Sequence, residues 1–287
     1  MKKNNTTGGL KVNTDELIRG SYLHSRNVPP KDSHQLDLLF PVIANRNDLR
    51  HIPNDYARSS LFTAKNKREP RRQLIHERLF HYNDDIEILY TGVELRAEDD
   101  ELVWLQILNF AQRVPLGEPF EFSVKDIVAD IGWPRNGRYY DRVRTCISRL
   151  KANEVLALNK RAYGKSGSIS LIQNYSAVNN ASGKPTHYRA WIDRNLIVLF
   201  AGNTFTSHRW ESYKSLSPVA RRLADYVESH QHPYPLALDK FQGMCGSIDK
   251  QTKSWRETVR RACQELEKCG VVKAARLDQN DKIACVK

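Results

Sequence analysis

Residues 119–132, PFEFSVKDIVADIG, align without a gap to residues 233–246, PYPLALDKFQGMCG, and this internal repeat restricts the fold more than any other feature. Pro119 stands opposite Pro233, Val124 opposite Leu238, Ile127 opposite Phe241 and Gly132 opposite Gly246. Each copy predicts a short strand feeding a helix, stopped by a glycine just past the helix end, where left-handed backbone is needed. A second helix then follows. In the later copy Asp249 is its expected cap, and Trp255, Val259, Ala262, Cys263 and Leu266 recur at helical spacing as one apolar stripe. In the earlier copy Val143, Ile147 and Leu150 take the places of Val259, Cys263 and Leu266. A further amphipathic helix precedes each unit, carried by Leu102, Leu105, Leu108 and Ala111 in one case and by Val219, Leu223 and Val227 in the other. The run Val271–Ala274 reads as a strand after the second unit. The pattern predicts an α+β chain of two tandem winged-helix domains; two unrelated helical hairpins are the alternative.

The charge balance says what such units would touch. The chain carries 45 Lys and Arg against 33 Asp and Glu, a net charge of +12, which points to a polyanionic partner. On the second helix of the later unit Lys250, Lys253, Arg256 and Arg260 are expected on the face opposite the apolar stripe. The earlier unit is denser in charge, with Arg135, Arg138, Arg142 and Arg149 as its candidate DNA contacts. The density predicts phosphate clamping weighted to the first unit and base reading to the second, because phosphate contacts position a protein while placed contacts to base edges specify sequence. The loop RAYGKSGS at 161–168, between strand-like runs, is the expected wing, with Arg161 and Lys165 at its tip. Lys65, Lys67, Arg68, Arg71 and Arg72 form a further basic cluster, read equally as phosphate contacts or as a solvated charge run.

Division of the chain follows from composition. Residues 1–60, polar and interrupted by Pro29, Pro30, Pro41 and Pro53, are expected to be an extended arm; 61–200 and 201–287 are the expected winged-helix domains. The segment 79–95 predicts a β-hairpin, 98–112 the helix entering the first unit, 195–200 a short helix and 201–216 a link. One island interrupts the arm: Gln35, Leu36, Leu38, Leu39 and Phe40 resemble the peptide by which bacterial replication proteins attach to the sliding clamp, Leu38 and Phe40 suited to an apolar pocket and Gln35 to an anchoring hydrogen bond. No run of about 18 apolar residues is present to span a membrane, and the start lacks the apolar segment of a secretory signal, so a soluble protein in the cytoplasm is expected. Five cysteines, none in a C-x-x-C pair, predict reduced thiols and no zinc site.

With these segments in view the chain resembles the TrfA-type replication initiators of broad-host-range bacterial plasmids. The likeness covers roughly residues 60–287 and is carried by IEILYTG at 86–92, FTSHRWESY at 205–213 and HPYPLALDKFQGMCGS at 232–247. It implies binding to direct repeats (iterons) at the plasmid origin, help in opening the adjacent AT-rich duplex, and recruitment of the host helicase, host initiator and clamp. Contact with single-stranded origin DNA and self-association to dimers are implied as well. No cofactor and no catalysis are expected. A rolling-circle nicking enzyme would need two metal-binding histidines and a nucleophilic tyrosine, whereas His230-Gln231-His232 ends a predicted helix. A nucleotide-binding loop would need glycine where Asn159 precedes Gly164-Lys165-Ser166. A tandem winged-helix transcriptional repressor has the same binding physics and is the competing reading.

Overall fold

The computed structural model describes residues 47–115, 117–159, 167–193, 196, 205–247 and 252–287. The first half runs β1 (Leu49–Pro53), α1 (Asn54–Ala57), β2 (Phe62–Thr63), β3 (Gln73–Leu79), β4 (Ile86–Val93), β5 (Leu95–Arg96), α2 (Asp100–Ala111), β6 (Phe120–Ser123), α3 (Val124–Ile131), α4 (Gly137–Lys151) and β7 (Glu154–Asn159). It continues through β8 (Gly167–Ile169), β9 (Asn174–Asn179), β10 (Pro185–Trp191), β11 (Phe205–Arg209), α5 (Trp210–Ser215), α6 (Pro218–Glu228), β12 (Leu236–Ala237), α7 (Leu238–Met244), α8 (Thr252–Lys268), β13 (Ala274–Leu277) and β14 (Lys282–Val286).

The repeat in sequence is a repeat in topology. α2, β6, α3, α4 and the β9–β10 hairpin follow one another as α6, β12, α7, α8 and the β13–β14 hairpin do. In each three-stranded sheet the strand ahead of the helix pair lies against the last strand of the hairpin, in the orders β6–β10–β9 and β12–β14–β13. Ser123 caps α3 by accepting from the Asp126 amide, Asn136 caps α4 by accepting from that of Tyr139, and Ser217 caps α6, which has Pro218 in its first turn. Gly132 and Gly246 hold φ of 82° and 66°, the left-handed backbone that the repeat demanded. The stripes face inward: Val143, Cys146, Ile147 and Leu150 on α4, and Val259, Ala262, Cys263 and Leu266 on α8, are 0–2 % exposed.

Several expectations change. The arm expected over 1–60 stops short: β1 pairs antiparallel with β11, from Leu49 against Arg209 to Pro53 against Phe205, and Ile52, Tyr56 and Ala57 are fully buried. Pro53 closes this strand and opens α1 rather than marking an extended arm. The segment 201–216, read as a link, contains β11 and α5. The hairpin that completes the first repeat is also elsewhere. β7 pairs with β4 and β8 with β7 in the sheet β3–β4–β7–β8, so the loop at 161–168, most of it outside the described residues, does not belong to the hairpin beside β6; that hairpin is β9–β10, with its turn at 180–184. The last strand run begins at Ala274, because Gly270 turns the chain at φ 67° and Val272 is buried beyond it. Of the short helix expected over 195–200 only Leu196 is described.

Buried polar contacts join the two repeats. Arg222 on α6, fully buried, donates to Glu101 at the start of α2 (2.9 Å), to Asp225 (2.5 Å) and to the carbonyls of Ala57 (2.8 Å) and Ser59 (2.6 Å). The Ala64 amide donates to the Cys245 carbonyl at 2.9 Å. Gly243 sits so close to Phe80 that a Cβ there would lie 2.6 Å from its ring. The first helix of the later pair is thereby fixed against elements from the N-terminal half.

Candidate nucleic-acid interface

The outer face of α4 begins with two free cations. Arg135, in the turn before the helix, and Arg138, on its first turn, are exposed and make no ion pair among the described residues. Arg142 and Arg149, expected beside them, lean the other way. Arg142 reaches Glu98 at 3.1 Å and Asp99 at 3.3 Å with its guanidinium over the Trp133 ring, and Arg149 lies 2.7 Å from Asp100 with its side chain only 13 % exposed. The reason is the amino end of α2. Asp99, which accepts from the Asp100 amide there, and the fully buried Asp100 pack against α4, and buried carboxylates are tolerated only when paired. Arg71, from the basic run, completes the set at 2.7 Å from Asp99 and 2.6 Å from Asp100. Arg149 thus stands here as a counter-ion to buried carboxylates, and Arg142 shares that task.

Asp99, Asp100 and Cys146 bring two carboxylates and a thiol within 4.8 Å of one another, which is metal-like spacing. Three guanidiniums already engage the carboxylates, and burial pushes the thiol well above its ordinary pKa, so the donor set suits an internal ion cluster better than a cation. All five cysteines are free thiols.

On α8 the basic face is where the sequence put it. Lys253 is exposed and makes no ion pair among the described residues; Arg260, 54 % exposed, pairs among those residues with Glu257 one turn back at 3.0 Å. Arg256 is different: Asp281, in the turn of the β13–β14 hairpin, accepts two hydrogen bonds from it at 2.7 and 2.5 Å. That pair raises the Arg256 pKa and lowers that of Asp281. The first unit has the counterpart with the signs reversed, since Asp141 on α4 pairs with Lys184 in the turn of the β9–β10 hairpin at 3.0 Å. In both units an ion pair thus bridges the second helix and the hairpin.

Lys184 and Arg189 on one hairpin, and Arg276 and Lys282 on the other, are exposed cations flanking the helices that the sequence reading left out. The turn signal Asn180–Pro185, NASGKP, was the available clue to the first hairpin. Arg161, Lys165 and Lys250 lie outside the described residues, as do Gln35, Leu36, Leu38, Leu39 and Phe40.

Fold and surface together define an α+β protein that presents a basic helix pair with an attached hairpin twice over. The chain belongs to the TrfA family, whose model, described as TrfA protein, matches residues 4–287. Plasmid replication initiator protein TrfA of Escherichia coli is 44 % identical over 247 residues, covering 86 % of this chain and 64 % of that protein; the chain thus spans less than two thirds of the relative's length. Among solved structures, domains 2 and 3 of RctB superpose with a TM-score of 0.50 at 14 % identity, covering 75 % of this chain and 85 % of that one. A second crystal structure of RctB domains 2–3 gives 0.50 at 11 % identity, with 78 % and 92 % covered. The likeness to RctB is one of fold. Among the described residues no helix is long and apolar enough to cross a membrane.

Proposed function

We propose that this chain is a plasmid replication initiator that binds origin repeats through two winged-helix units and acts by non-covalent grip, with no enzymatic step and no cofactor. The observation that carries the reading is the doubled topology with exposed cations at both second helices, Arg135 just before and Arg138 on one and Lys253 and Arg260 on the other, in a chain 44 % identical to a protein named for plasmid replication initiation. Each second helix would enter a major groove, each hairpin would lie along the flanking backbone, and copies on adjacent repeats would strain a neighbouring AT-rich segment. Host helicase, host initiator, single-stranded origin DNA and a second copy are the further partners of this reading, in the bacterial cytoplasm.

Arg256 separates base reading from mere charge. Released from Asp281 it can reach a guanine with both donors, so Arg256→Ala is expected to weaken binding to the origin repeat by about ten- to a hundredfold while leaving binding to random duplex nearly unchanged. Fluorescence anisotropy on the two duplexes measures this; an equal loss on both would make Arg256 a phosphate contact. An origin fragment bound without permanganate-reactive thymines in its AT-rich segment would favour the repressor reading instead. For the clamp, changing Leu38 and Phe40 to Ala is expected to abolish pull-down of the sliding clamp and to leave repeat binding intact, because the peptide's apolar anchors supply its affinity; loss of both activities would make the peptide structural.

A further inference from the structure

The basic run at 65–72 divides into cations the protein uses internally and cations it leaves free. Lys65 pairs with Glu94 at 2.8 Å, Arg71 with Asp99 and Asp100, and Arg72 with Glu77 at 2.8 Å. Lys67 and Arg68 remain exposed, with no ion pair among the described residues. They stand on a turn built with unusual care. Arg96, 3 % exposed, donates to the carbonyls of Asn66 (3.0 Å), Glu69 (2.9 Å) and Pro70 (3.3 Å). Within the turn the Asn66 side chain accepts from the Arg68 amide at 3.0 Å, and the Glu69 amide donates to the Asn66 carbonyl at 3.1 Å. A solvated charge run needs no such scaffold. Committing a buried guanidinium to three carbonyls of an exposed turn fixes where its two cations stand, which is the preorganisation that favours binding over solvation.

The position says what they would bind. The turn forms one wall of a cleft of about 1010 Å³ whose other wall is α8, with Lys67 and Pro70 on one side and Trp255, Thr258 and Arg261 on the other. Glu98 also lines the cleft, and its partner is Arg142 on α4. The turn therefore lies across a cleft from α8, and that cleft reaches α4 through the Glu98–Arg142 pair. The carboxylates around the cleft are already engaged: Glu98 by Arg142, Glu265 by the Ser217 amide at 2.7 Å, and Glu69 by the Asn66 amide at 3.3 Å.

We infer that the turn Asn66–Pro70 is a third DNA-contacting element, on which Lys67 and Arg68 hold the sugar–phosphate backbone of a duplex bound by the helices, with Arg261 across the cleft from Lys67. This rests on the DNA reading above and adds an element that neither helix pair contains. The test uses the full chain, a duplex carrying the repeats of its own origin, a random duplex of equal length, and a salt titration of each. Lys67→Ala/Arg68→Ala is expected to lower the slope of log K against log salt by about 1.8, about 0.9 for each phosphate released, and to do so equally on both duplexes. Hydroxyl-radical footprinting should show a stretch of the backbone losing protection in the double variant, while Lys67→Arg/Arg68→Lys keeps both slope and footprint. An unchanged slope and footprint in the Ala variant, with the slope still falling for Arg135→Ala/Arg138→Ala, would overturn the third element and leave the DNA reading standing. If neither variant moved the slope, the DNA reading itself would fail.

Discussion

Arg222→Met is expected to destabilise the folded chain by about 3–5 kcal/mol, the range seen when one partner of a buried ion pair is removed and the other is left uncompensated. The wild-type guanidinium, fully buried on α6, spreads its donors over Glu101, Asp225 and the carbonyls around α1. Methionine fills much of the volume and donates nothing, so Asp225 keeps only the Tyr213 hydroxyl at 2.9 Å and His208 at 2.8 Å, and the carbonyls of Ala57 and Ser59 lose their donor. Urea unfolding monitored by circular dichroism reads the loss, and calorimetry should show a fall of about 2–4 °C per kcal/mol for a chain of this size. Arg72→Ala is the control: its pair with Glu77 is half exposed, and its removal should change stability by less than about 1 kcal/mol. Equal effects from the two variants would mean that the joint between the repeats is not held by this guanidinium.

Because the joint sets how α4 and α8 stand relative to each other, it matters more to the proposed function than any single surface cation. It is also the part that could not be read from the sequence. The stripe Val259, Cys263, Leu266 announces a helix and a buried face from spacing alone, and Gly132 and Gly246 announce where the preceding helices stop; both are local signals. Arg222 sits among ordinary helix formers, and nothing within a turn of it foretells Glu101 or the carbonyls of Ala57 and Ser59. The same holds at α4. Helical periodicity put Arg142 and Arg149 off the apolar stripe, correctly, but whether a flanking residue meets solvent or another helix depends on the amino end of α2, which arrives from some 40–50 positions away. β7 was expected to lead into a wing, and its alternation suits that role and pairing with β4 equally well; only tertiary register decides. Arg256 was legible as an outward cation, while its tether, Asp281, lies across a hairpin turn that composition does not place against the helix.

Raising pH from about 6 to about 10 should loosen the same joint in the absence of any substitution. Burial alone would drive His208 toward its neutral form, but Glu228 and Asp225, one on each ring nitrogen, overcome it and push the imidazole up to about 10. Burial, then the neighbouring Asp225, pushes Glu101 up to about 8, consistent with its second oxygen having no hydrogen-bond partner. Both groups bind their proton more tightly folded than unfolded, so their contributions are complete below the unfolded values of about 4.5 for Glu101 and 6.5 for His208 and disappear as pH rises through 8 and then 10. Asp225 works in the opposite sense: burial opposes its ionisation, but Arg222 and His208 hold it below the usual carboxylate range, so its contribution is lost only in acid. Stability is therefore expected to peak in mildly acidic solution and to fall on the alkaline side. With each pKa unit equivalent to about 1.4 kcal/mol, the His208 part of that fall is on the order of a few kcal/mol. Melting temperatures taken from pH 5 to 10 test it. Glu101→Gln, which cannot ionise, should remove the part of the decline that runs between about pH 4.5 and 8, and His208→Gln should remove the part that runs between about pH 6.5 and 10 while lowering stability at pH 6. A melting temperature flat across this range in the wild-type chain would show that neither proton is held by the folded state.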